Sequence, residues 1–165
     1  MKIKDSTFLV TGGSAGIGKA TAKLLIEKGG KVTITGRDKS KLDKVAKEIG
    51  AFPIHADVAI EKDVKKTYQL FLEEFGKLDC LINNAGIGDA WNEITELDIK
   101  AFHKVYDVNV FGAALMASEA AKLFKKQKSG NIVNISSTAG TKGFANGTVY
   151  ASSKFALRGM TQCWQ

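Results

Sequence analysis

Proline is nearly absent. Pro53 is the only one, against 17 glycines, and no linker, internal repeat or low-complexity tract is visible. Cysteine is as scarce: Cys80 and Cys163 lie far apart and form no CxxC pair. That excludes a disulfide scaffold and a zinc site, so no metal is expected, and a reducing cytoplasm is the expected setting. Long apolar runs are missing too. No stretch approaches the ~18 apolar residues a bilayer span needs. The run Phe8 to Val10 is too short for a signal-peptide core and ends at Gly12-Gly13. The expected protein has no membrane partner and a cytoplasmic location.

What is present is ordinary for a folded domain: 165 residues, 44% hydrophobic and 25% charged. One domain over residues 1–165 is expected, large enough for a real core. The net charge of +7 admits nucleic acid or another anion as partner. However, Lys39, Lys41, Lys44 and Lys47 are spread along a helical stretch with acids between them. The densest run, Lys125 to Lys128, falls where a helix ends and cations suit its dipole. The charge therefore reads as a solvated surface, and nucleic acid is not an expected partner.

Short β-rich runs alternate with helical ones. Phe8–Val10, Val32–Thr35, Phe52–Ala56, Leu78–Asn83 and Asn131–Ser136 read as five strands. Apolar residues at helical spacing fill the intervals, with Gly29-Gly30, Gly50 and Gly76 as stops. One long helical region is expected from about Asp98 to Lys126, and a last helix carries Tyr150, Phe155, Leu157, Met160 and Trp164. Strands that are short and nearly all apolar are covered on both faces. The expected fold is α/β, a Rossmann-like doubly wound parallel sheet of order 3-2-1-4-5.

The first strand runs into Thr11-Gly12-Gly13-Ser14-Ala15-Gly16-Ile17-Gly18, and a helix follows. In such a loop, backbone N–H groups and the helix N-terminus face a pyrophosphate. Gly12 would make the turn, Gly16 would admit the ligand, and Gly18 would let helix and strand approach. The spacing GxxxGxG differs from the GxGxxG fingerprint, and a purely structural tight turn is the competing explanation. The second strand ends at Gly36-Arg37-Asp38. A glycine there leaves room for a 2′-phosphate, and Arg37 would clamp it. Asp38 argues for NAD, but reads as the N-cap of the next helix. NADP is accordingly favoured over NAD.

Further motifs converge: Asn83-Asn84-Ala85-Gly86 closes the fourth strand, Asn109-Val110-Phe111-Gly112 lies in the long helix, Ser136-Ser137 ends the fifth strand, and Tyr150-Ala151-Ser152-Ser153-Lys154 follows. With TGxxxGIG, these resemble the short-chain dehydrogenase/reductase family, in order and over nearly the whole chain. Among its subfamilies the chain is similar to 3-oxoacyl-acyl-carrier-protein reductase-like members. The resemblance implies hydride transfer between a nicotinamide cofactor and a small carbonyl or alcohol substrate. It implies contacts to the cofactor from the glycine loop (Gly12, Ser14, Ala15, Gly16, Ile17, Gly18), from Arg37, from Asp57-Val58 at the adenine and from Asn84, Ala85 and Gly86. It implies a homo-oligomer, dimer or tetramer.

The residue chemistry agrees. Tyr150 and Lys154 are four apart and share a helix face. A free phenol, with a pKa near ~10, is a poor acid–base catalyst at neutral pH, and a nearby ammonium favours its phenolate. By resemblance, Tyr150 gives a proton to the carbonyl oxygen and Lys154 also binds the nicotinamide ribose. The family's serine lies thirteen residues before the tyrosine, so the resemblance implies that Ser137, rather than Ser136, hydrogen-bonds the substrate oxygen. The resemblance implies that Asn109 holds a water of the proton relay. Taken singly, each of the four has an ordinary structural explanation. His55 and His103 read as structural. Trp91 either lines the substrate pocket or packs on its own domain.

The apolar pattern of the last helix runs to the final residue without a stop signal. Family members continue with two more strands and a substrate-covering segment, so strands 6 and 7 are expected to be absent and the fifth strand to form a sheet edge. Two readings stay open here: a carbonyl reductase represented by its N-terminal part, or a non-catalytic nucleotide-binding or interaction module.

Overall fold

A computed structural model describes residues 2–88 and 91–164. Five strands form one parallel sheet of order β3-β2-β1-β4-β5, as expected. The strands are β1 (Thr7–Val10), β2 (Lys31–Gly36), β3 (Phe52–His55), β4 (Cys80–Asn83) and β5 (Asn131–Asn134). The helices are α1 (Gly16–Glu27), α2 (Lys39–Ile49), α3 (Glu61–Phe75), α4 (Ile99–Tyr106), α5 (Ala113–Gln127) and α6 (Thr148–Cys163).

Strand periodicity divides the core in two. Phe8 and Val10 point to one face, where they meet Ala22 and Leu25 of α1 and Leu42, Val45 and Ile49 of α2. Leu9 points to the other, among Val64, Tyr68 and Phe71 of α3 and Met116, Ala117 and Ala120 of α5. Every residue of β1 and β4 is buried, which accounts for the apolar runs Phe8–Val10 and Cys80–Ile82. β5 is different: at the sheet edge its residues alternate between exposed and half-buried, and Val133 stays 43% exposed.

The helix ends follow their residues. Asp38 accepts from Lys41 N at 2.9 Å, so it is the cap of α2. Gly50 and Gly76 close α2 and α3 in the left-handed conformation. Tyr68 donates to the Met116 carbonyl at 2.6 Å and ties α3 to α5. Burial raises its pKa well above the ordinary tyrosine value.

The long helical region is not one α-helix. Between α4 and α5 the chain makes a π-helical turn over Asp107–Gly112. Its wider i→i+5 bonding accommodates an extra residue, a departure that apolar periodicity does not reveal. The turn buries Asn109 and sets Gly112 against Val58, where an added Cβ would lie 2.8 Å from Val58 Cγ2. α6 ends at Cys163, and Gln165 lies outside the described residues.

Candidate active site

The loops at the carboxyl ends of β1, β2, β4 and β5 surround a cleft with two lobes, the position expected of a ligand site in an open α/β sheet. The larger lobe, about 510 Å³, is floored by the glycine loop and walled by Asn84–Gly88, Trp91, Tyr150 and Lys154. The smaller, about 270 Å³, runs from the same loop to Arg37, Asp57 and Val58. Gly12, Ala15 and Ala85–Ile87 border both.

The glycine loop is shaped by missing side chains. Gly12 has φ +65° and Gly16 φ +49°, and a Cβ on Gly16 would meet nothing. Gly16 is therefore the open floor of the larger lobe, and Ile17 beside it is 64% exposed. Gly18 lines neither lobe. Its Cβ would lie 2.4 Å from Asn84 Nδ2 and 2.5 Å from the Gly12 carbonyl, so its role is to let α1 pass beneath the loop. Gly13, which the motif leaves without a role, has the same function toward β2: its Cβ would lie 2.5 Å from Ile34 Cγ2. Thr11 is a second residue the motif left unassigned. Its Oγ1 accepts from Asn84 N at 3.0 Å and Ala85 N at 2.9 Å, which ties the β4 loop to the glycine loop. Asn84 Nδ2 returns the tie, donating to the Thr11 carbonyl at 2.9 Å.

In the smaller lobe Arg37 and Asp57 approach to 3.8 Å, and Arg37 stays half exposed. Asp57 Oδ1 accepts from Ala59 N, and Asp63 accepts from Asp57 N, which fixes the turn that presents Asp57 and Val58. Gly36 serves a local need: a Cβ there would lie 3.1 Å from Ser14 Oγ. His55 is structural, its Nε2 2.6 Å from the Arg37 carbonyl oxygen. Among the described residues no cluster of His, Cys, Asp or Glu is arranged to hold a metal ion.

Four segments meet at the larger lobe, and the β4 loop threads between them. A Cβ on Gly86 would lie 3.3 Å from Asn109 Oδ1 and 3.5 Å from Lys154 Nζ. One on Gly88 would lie 3.7 Å from the Tyr150 ring. Asn109 is 1% exposed, and both ends of its amide are hydrogen-bonded. Its Oδ1 accepts from Ile87 N at 2.8 Å, and its Nδ2 donates to the Ile87 carbonyl at 2.9 Å and to Ser153 Oγ at 3.1 Å. Ser153, a further residue not singled out by sequence, donates in turn to the Tyr150 carbonyl at 2.7 Å. Asn109 thus clamps the β4 loop to α6.

Lys154 is 5% exposed and donates to the Ile135 carbonyl at 2.9 Å. Burial lowers its pKa below the usual lysine value, and among the described residues no carboxylate pairs with it. Its Nζ lies 5.8 Å from the Tyr150 ring centroid. Tyr150 is half-buried, and its hydroxyl finds no protein partner among the described residues. That sets it apart from Tyr68, whose hydroxyl is satisfied on a carbonyl. The two serines divide unexpectedly. Ser136 lines the lobe, and its Oγ lies 3.4 Å from the Lys154 carbonyl. Ser137 Oγ accepts from Ala139 N at 3.1 Å, capping a short 3-10 turn.

The model of the short chain dehydrogenase family matches residues 6–165. The chain belongs to that family. It is 34% identical to zerumbone synthase of Zingiber zerumbet, over 98% of this chain and 62% of the relative. It is 37% identical to (+)-borneol dehydrogenase 2 of Salvia officinalis, over 98% of this chain and 59% of that protein. The crystal structure of levodione reductase superposes with a TM-score of 0.92 at 30% identity, covering 96% of this chain and 64% of that one. The chain therefore spans about six-tenths of the length of these relatives.

Proposed function

We propose that this chain carries the cofactor site and the acid–base residues of an oxidoreductase that moves a hydride between NADP(H) and a small carbonyl or alcohol substrate. One observation carries the reading. Tyr150, Lys154 and the Asn109-clamped β4 loop converge on a cleft continuous with a glycine-floored cradle.

The cradle fits a dinucleotide. Its two lobes share the glycine loop, where Gly16 leaves open space beside the N-terminus of α1. Asp57 and Val58 would face the adenine, and Asn84, Ala85 and Gly86 would lie beside the nicotinamide half. When bound, the cofactor supplies or accepts the hydride. Arg37 supports a preference for the 2′-phosphorylated form, since the one acid next to it in sequence, Asp38, is committed to capping α2.

Tyr150 is the general acid in reduction and the base in oxidation. Its hydroxyl, unpartnered among the described residues, is poised for a substrate oxygen, with the buried Lys154 Nζ 5.8 Å from its ring centroid. Lys154 would also bind the nicotinamide ribose. Ser137 would hydrogen-bond the substrate oxygen: its Oγ accepts from Ala139 N and keeps a proton to donate. Both N–H groups of the Asn109 amide and one lone pair of its oxygen are already used, so the proposed relay water would be held by its backbone. A soluble homo-oligomer working in the cytoplasm completes the proposal.

The test is Tyr150→Phe. Loss of a positioned general acid costs about 10²–10⁴-fold in turnover. Ketone-dependent NADPH oxidation should fall by that factor while NADPH still binds. Undiminished turnover in the variant would refute the assignment.

A further inference from the structure

One end of the larger lobe, beside Tyr150, carries the Trp91 ring, and Phe144 stacks on Trp91 at its outer edge. Trp91 stacks on Phe144 with centroids 5.7 Å apart and planes 30° apart, and its ring lies 5.4 Å from that of Tyr150. Both outer rings remain about half exposed, at 52% and 49%. Two glycines seat them. A Cβ on Gly88 would lie 3.2 Å from Trp91 Cζ2, and one on Gly147 would lie 2.4 Å from Phe144 Cε2. Each ring thus rests on backbone where a side chain is missing. The surface is built rather than a chance exposure, and it is continuous with the residue proposed to protonate the substrate.

The charge at this end is as informative. Among the described residues Lys154 is the only ammonium lining the lobe, and it is buried with one N–H on the Ile135 carbonyl. No arginine and no carboxylate lines it among the described residues. Among the described residues only Lys154 could offset the desolvation of a charged substrate group, and the proposed function commits it to the cofactor ribose. We infer that Trp91 and Phe144 form a shelf for an uncharged, ring-bearing hydrophobic ketone or alcohol, whose oxygen is presented to Tyr150. Trp91 is then a specificity-determining residue. As a statement about substrates, this rests on the proposed reductase activity.

Binding and turnover are read separately. Trp91 and Trp164 are the two tryptophans of the chain, so Trp164→Phe leaves Trp91 as its sole indole. A saturated bicyclic alcohol (decahydro-2-naphthol) displaces water from the shelf without itself absorbing. It should give a saturable blue shift of the Trp91 emission, half-complete at a concentration at least tenfold below any shift with 2-propanol. Phe144→Ala should raise that concentration at least fivefold. In kinetics with NADPH, Trp91→Ala should lower kcat/KM for 2-decalone at least tenfold more than for 2-butanone. No saturable shift, or an unchanged ratio of the two ketones in Trp91→Ala, overturns the shelf. A saturable shift with no turnover of either ketone by NADPH or NADH upholds the shelf as a ligand subsite and overturns the reductase activity instead.

Discussion

On the β1–β2 side of the cleft the shape comes from side chains that are missing. On the β4–β5 side it comes from side chains that arrive from separate segments. Gly12 and Gly18 let backbone approach backbone, Gly13 makes room for Ile34, Gly16 leaves open space, and the β1 strand beneath them is buried. Across the cleft, Asn109, Tyr150 and Lys154 are brought together by a π-helical turn, a threaded loop and α6, next to a strand that is half open to solvent. The first side suits a ligand held by backbone N–H groups. The second suits chemistry that needs particular functional groups, and it leaves room for substrate contacts to vary.

Core substitutions should break this contrast most sharply. Leu9 on β1 is fully buried, and Leu9→Ala should cost about 2–5 kcal/mol of unfolding free energy in urea titrations. Gly18→Ala comes next. Its Cβ collides with Asn84 and with the Gly12 carbonyl, and relieving that overlap should cost roughly 1–3 kcal/mol and weaken cofactor binding with it. A normal cofactor Kd in a fully stable Gly18→Ala protein would remove the claim that the loop is built on missing side chains.

The seam between the two sides offers a smaller, pH-dependent effect. Asp79 accepts from Thr7 N at 2.9 Å and from Thr7 Oγ1 at 3.1 Å, and it pairs with Lys77. Burial alone would raise its pKa, but the hydrogen bonds from Thr7 and Lys77 outweigh it and hold the carboxyl below its ordinary value. A depressed carboxyl contributes fully above the unfolded pKa of about 3.9, and its contribution is lost as pH falls through the folded value. Asp79→Asn should therefore destabilise the protein by about 1 kcal/mol at pH 7, and the difference from the parent should shrink below about pH 4. A difference that stays constant down to low pH would show that the charge plays no part. At the small end, Val133→Ala on the exposed edge should stay within about 0.5 kcal/mol of the parent.

The same contrast governs what could be read without coordinates. The β1–β2 side was legible because positive-φ and close-contact positions demand glycine, and because buried parallel strands are largely apolar. Strand order and the Asp38 cap followed from alternation and cap chemistry. Gly13 was missed because a doublet does not say which glycine turns and which packs. The reaction side was legible only as a family pattern. Spacing put Tyr150 and Lys154 on one face, but nothing in the periodicity of residues 98–126 announced the π-helical turn. Nor did spacing show that Asn109 would be consumed by Ile87 and Ser153, since those partners lie 22 and 44 residues away. Trp91 had two readings in the sequence, and the structure satisfies both: it packs on its own domain and it lines the cleft.

The central claim is that one cleft binds on one side and reacts on the other. It is tested most directly by measuring NADPH Kd and ketone turnover on the same preparations of Arg37→Ala and Tyr150→Phe. Loss of a charge-assisted contact costs about 1.5–3 kcal/mol, or roughly 10- to 100-fold. The account predicts a crossed result. Arg37→Ala should lose about that much NADPH affinity, little NADH affinity, and keep turnover within a few-fold once cofactor is saturating. Tyr150→Phe should keep its NADPH Kd and lose turnover. Parallel losses of binding and turnover in both variants would contradict it.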